Sequence, residues 1–113
     1  LDADIAGLAA RRDKAAQDFA AADRIAAARL TAGARAAIGS DAWLDAQTAL
    51  AGLDTPRADL VAVISELEDL AIARATAGEP PYPALETAKA DADALLSRIT
   101  TDMDARKARL PFQ

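Results

Sequence analysis

The stretch that decides the fold is residues 54–77, DTPRADLVAVISELEDLAIARATA. Two readings compete in it. Val61, Val63 and Ile64 are β-branched and closely spaced, as in a strand. Asp54-Thr55-Pro56, however, opens the stretch as a helix start does. Thr55 can act as N-cap, and Pro56 suits the first helical position, where its missing N–H costs nothing. Leu60, Val61, Val63, Ile64, Leu67, Leu70, Ala71 and Ile72 then follow a 3.6-residue period for longer than a strand lasts. The spacing predicts a helix over 56–77. Its apolar arc is wide enough to touch more than one neighbour, which makes it the expected central helix.

Downstream, Gly78-Glu79-Pro80-Pro81-Tyr82-Pro83 must break the chain. Gly78 suits the left-handed position after a helix, and the prolines forbid continuation. The run has the composition of a short polyproline ligand. A connector with Tyr82 packed over the helix ends explains it as well. Beyond it, Leu85, Ala88, Ala92, Leu95, Ile99, Met103, Arg106 and Leu110 alternate steps of three and four. This heptad-like seam predicts a helix over 84–109, ended by Pro111.

Upstream, Ser40 or Asp41 caps a short helix over 41–53, with Trp43, Gln47, Leu50 and Leu53 on one face. Trp43 is the largest anchor in the chain, and its indole N–H needs a partner if buried. The first helix is predicted over 2–38, with Leu1, Ile5, Leu8, Phe19 and Leu30 on one stripe and Ile25 off it. Ala15 and Ala22 allow close helix approach, with the stem of Arg12 covering the seam. Gly33 marks a kink or an early end, and Gly39 is the firmer stop. A helix of that length would span ~55 Å against ~39 Å for the fourth, so it should overhang its partners. The overhang is the sequence's hint of self-association.

The expectation is an all-α fold, one domain over 1–113, an antiparallel bundle of four helices at about 2–38, 41–53, 56–77 and 84–109. Phe19, Trp43, Leu60, Ile64, Leu67, Leu70, Leu95, Ile99 and Met103 are its expected core anchors. Of 113 residues, 33 are alanine and only four are aromatic. Alanine forms helix readily but contributes little core area, so helices must lie close and the few large side chains must hold them.

The net charge is −5, which disfavours broad nucleic-acid binding. Residues 40–81 carry eight acidic and two basic groups, so the middle third is the acidic surface. There is no Cys for a disulfide or thiolate site and no His for a triad, a haem ligand or a di-iron motif. No Gly-rich nucleotide fingerprint occurs. Glu66 and Asp69, with Asp59, and the Asp41–Asp45 pair are the carboxylates that spacing brings together. None adjoins a loop of further oxygen ligands, and solvated helix surface explains them. Ser40, Ser65 and Ser97 have no base nearby.

Arg11, Arg12 and Lys14, and at the other end Arg106, Lys107 and Arg109, are the candidate interaction residues. If the first and fourth helices are antiparallel, the two clusters share one basic pole. Otherwise, the second cluster simply complements a helix C-terminus. The functional expectation is a non-enzymatic helical module acting through contact with a protein partner or a second copy, without cofactor, metal or membrane-spanning segment. The alternative is a small-ligand carrier with a cavity near Trp43, Leu67 and Met103. Alanine and arginine richness suggests a GC-rich bacterial source. Together with a start at Leu1 rather than Met, it gives an exported, periplasmic protein as the expectation and a cytoplasmic one as the alternative.

Overall fold

The computed structural model describes residues 1–111. These form four α-helices and no strand: α1 (Asp2–Gly33), α2 (Asp41–Ala51), α3 (Asp54–Thr76) and α4 (Pro83–Lys107). The all-helical reading stands, and the valines and isoleucine of 61–64 are helical.

The first helix is shorter than expected. It ends at Gly33, not near residue 38, because there it presses on α2. A Cβ at Gly33 would stand 2.4 Å from the Ala46 Cβ and 2.9 Å from the Ala42 carbonyl oxygen. The chain then tightens, with the N–H groups of Arg35 and Ala36 donating to Ala32 and Gly33 at 3.2 Å. Gly39, at φ 85, supplies the left-handed step of the turn that reverses it, closed by the Ser40 N–H on the Ala37 carbonyl at 3.0 Å. Ser40 caps α2, its Oγ accepting from the Trp43 N–H at 3.4 Å.

Between α2 and α3 the chain does not turn back. Gly52 (φ −63, ψ −16) and Leu53 (φ −72, ψ −23) keep right-handed helical dihedrals. The two helices therefore run on as one bent rod, not as the antiparallel neighbours expected. Thr55 is not a cap, since the helix has already begun at Asp54. Pro56 sits buried in the first turn, where its lack of an N–H is still tolerated. The rod lies antiparallel to α1 over its whole length. Gly33 meets Ala42 and Ala46, Arg11 pairs with Glu66, and Leu8 and Leu70 line one groove. The central position belongs to α1, which packs on all three other helices, and not to α3.

Gly78 (φ 73) ends α3 in a Schellman arrangement: the Glu79 N–H donates to Arg74 at 2.9 Å and the Gly78 N–H to Ala75 at 3.0 Å. Pro83 occupies the first position of α4. That helix runs antiparallel to α3, with Arg57 Nε donating to Thr100 Oγ1 at 3.1 Å. It runs parallel to α1, since Tyr82 bonds Asp2 near one end and Arg106 meets Asp23 further along. Three rods thus pack side by side along most of α1. Past the end of α4, the last turns of α1 have only α2 and the turn at 108–111 for company. There Leu110 is buried, and the Trp43 indole N–H donates to the Pro111 carbonyl at 2.9 Å. The molecule measures 59 × 22 × 15 Å.

Phe19, Trp43, Leu60, Ile64, Leu67, Ile99 and Met103 are buried, while Leu70 and Leu95 lie half-buried at the margin. Alanine fills the seams: Ala15, Ala26, Ala46, Ala88 and Ala92 are buried. Among the described residues no charged or polar side chain is buried.

Candidate functional site

Because α1 and α4 are parallel, the two basic clusters do not share a pole. Arg12 reaches Asp91 of α4 at 3.7 Å, whereas Arg106 grips Asp23 with two hydrogen bonds of 2.9 and 3.1 Å. Arg12 and Asp23 are eleven positions apart on α1, or ~17 Å along the axis. The cations are also engaged one by one. Arg11 pairs with Glu66, Lys14 with Asp18 at 2.6 Å and Lys107 with Asp54 at 3.1 Å. Arg109 lines a hollow with Asp23 and Asp102. The hydrogen bond to Asp18 raises the Lys14 pKa, and that to Asp23 raises the Arg106 pKa. Most of these side chains tie helices together or cover neighbouring acid, and they do not form a basic field.

A prominent hollow lies between α1 and α3. It is an open groove of about 470 Å³ with Ala3, Gly7, Leu8 and Leu70 in its floor and Asp4 and Asp69 on its edges. The Arg11–Glu66 ion pair crosses it. Beyond that bridge it continues as a second hollow of about 240 Å³, floored by Ala15 and Ala62 and edged by Lys14, Asp18 and Asp59. The carboxylates noted in the sequence, Glu66, Asp69 and Asp59, therefore belong to one groove. Their cross-helix companions were not legible, because pairing α1 with α3 requires knowing that α2 and α3 form a single rod. Gly7 gave one local signal: a glycine inside an alanine-rich helix.

Two smaller hollows have different chemistry. One of about 230 Å³ lies beside Trp43, with Leu50, Leu110 and the Lys107–Asp54 pair around it. The expected cavity lined by Trp43, Leu67 and Met103 is not formed. Trp43 and Leu67 are 24 residues apart on one rod, ~36 Å, and cannot line the same space. The other hollow, about 250 Å³, is formed by the proline connector. Arg74 lies 5.0 Å over the Tyr82 ring and donates to the Pro80 carbonyl at 2.9 Å. The Tyr82 hydroxyl donates to Asp2, and that bond raises its pKa. Tyr82 is thus committed to holding helix ends, and Pro83 to starting α4, so the run is not presented as a free polyproline ligand.

Among the described residues no three His, Cys, Asp or Glu side chains converge closely enough to hold a metal ion. Among the described residues no helix is long and apolar enough to cross a membrane. The groove can offer an anionic, open, small-residue surface for docking. Comparison with protein-family models, with curated proteins and with solved structures finds no match to this chain.

Proposed function

We propose that this chain is a non-enzymatic helical module that works by docking a protein partner along the groove between α1 and α3. The observation that carries the reading is the groove itself. It runs as two hollows on either side of the Arg11–Glu66 pair, lined by small side chains with charges at the edges. Such a surface suits an extended contact better than an enclosed small molecule. The absence of His and Cys from the sequence agrees with this reading.

A different protein suits the groove better than a second copy. The overhang that suggested self-association does not arise, because α1 stops at Gly33 and its last turns are covered by α2. The test is amide exchange measured alone and with binders selected against the folded chain. Protection gained at residues 3–18 and 59–70 supports the reading. Protection confined to other surfaces, or no selectable binder, refutes it.

A ligand-carrying role would use the hollow beside Trp43, where Trp43, Leu50 and Leu110 stand beside Gln47 and the Lys107–Asp54 pair. As the sole tryptophan, Trp43 reports on it directly. Fluorescence that no lipid or aromatic ligand perturbs counts against that role.

A further inference from the structure

Glycine inside a helix costs about 1 kcal/mol relative to alanine, so each helical glycine needs a reason. Gly33 has one within the chain, since a Cβ there would collide with Ala46 and the Ala42 backbone. Gly7 has none. A Cβ at Gly7 would meet nothing within 4 Å, and the residue lies exposed in the groove floor. Nothing inside the molecule packs against the bare backbone at that point, which leaves it open to a partner backbone that comes closer than a methyl group permits.

Ala3, one turn before Gly7, is exposed in the same groove. The two hollows between α1 and α3 follow α1 from Ala3 to Asp18, ~22 Å, the length of about four helical turns. Their edges carry five carboxylates, Asp4, Asp18, Asp59, Glu66 and Asp69, against the two cations Arg11 and Lys14. Both cations are already held, by Glu66 and Asp18. Asp59 and Asp69 have no ion-pair partner among the described residues.

We infer that the groove receives one α-helix of a partner protein, seated over Gly7 with small residues inward and Lys or Arg along the flank that faces α3. The inference rests on the docking role proposed above and adds the partner's chemistry. The docked helix would become the fourth rod over the three-rod part of the bundle. Its flanking cations would meet Asp59 and Asp69. A second copy of this chain fits less well, because two such grooves would bring their carboxylates together.

A displayed library of 18-residue helical peptides tests this. Its seam positions are limited to Ala, Gly, Ser and Leu, and its flanks are drawn from Lys, Arg, Glu, Asp and Gln. Selected peptides should be enriched in Lys and Arg along one flank, and their binding should weaken as salt is raised. Gly7→Leu should weaken them about tenfold or more, equivalent to ~1.4 kcal/mol. Gly7→Ala should raise the melting temperature of the free chain by a few degrees while weakening binding. A purely structural glycine would not move stability and affinity in opposite directions. Selected peptides without a basic flank overturn the proposal, as does unchanged binding to Gly7→Leu. In that case, peptides that bind elsewhere leave the docking role intact, whereas an empty selection removes both. Self-association of the free chain that Gly7→Leu abolishes also overturns it, by making the second copy the occupant.

Discussion

Single residues in this chain are used where alanine cannot serve. At Gly33 even one methyl group is too much, with Ala46 Cβ and the Ala42 carbonyl both inside contact distance of a Cβ. Gly33→Ala should therefore destabilise the protein by ~1–3 kcal/mol, the usual cost of overpacking, and thermal melts will show it. An unchanged melting temperature would mean that α1 and α2 are further apart. Tyr82 offers a cleaner readout, being the sole tyrosine. Its hydroxyl donates to Asp2, so its pKa lies above the ordinary value near 10. A raised folded-state pKa means that the bond stabilises fully below the unfolded value and is lost as pH rises through the folded one. Absorbance titration of tyrosinate should give a midpoint above the ordinary value, and Asp2→Asn should lower it. Identical midpoints would rule the bond out. The sequence made Tyr82 legible as a residue over helix ends. It could not supply Asp2, 80 positions away, nor the Arg74 guanidinium over the ring.

At the scale of elements, the helices were legible because each has its own punctuation: Ser40 before α2, Gly78 and the prolines between α3 and α4, and a regular apolar period within each. The connection at Gly52–Leu53 departs from the expected reversal for a physical reason. Asp54-Thr55-Pro56 is a helix start that can follow a reversal or a mere bend, and the choice lies in whether Gly52 and Leu53 leave the right-handed region. They do not. Once α2 and α3 are one rod, α4 comes back parallel to α1, and the expected basic pole separates into local ion pairs. The rod also divides stability unequally. Leu67 lies where three rods pack, whereas Trp43 holds the two-rod end through burial and its bond to Pro111. Each substitution to alanine should cost ~2–5 kcal/mol if the chain unfolds as one unit. Their exchange signatures should differ. Trp43→Ala should open amides of 27–33 and 41–51 first, while Leu67→Ala should lower protection throughout. Uniform loss in both variants would show that the two-rod end is not a separate unit.

The whole molecule is the consequence of building rods from alanine. Small seam residues bring helices close but enclose little volume, so the chain extends along its axes. A compact domain of this length has a radius of gyration of ~13 Å, whereas the Cα atoms here give 17.8 Å. Its accessible surface of 6626 Å² likewise exceeds the ~5900 Å² expected for its mass. Surface of that extent creates the long groove, and it poses the question why the chain would not fill the groove with another copy. The acid on the groove edges gives an electrostatic answer that salt can weaken. At low ionic strength, light scattering should return the monomer mass of 11.7 kDa, with X-ray scattering showing a particle about 59 Å long. At 1 M salt the screening length falls to ~3 Å, and repulsion between two grooves is largely removed. If shape alone fitted a second copy, dimers would then form side by side, doubling the mass with little change in length. We expect the monomer to persist, because two copies still lack the cations that the groove edges require. A salt-induced dimer of unchanged length would show that the groove is made for its own kind.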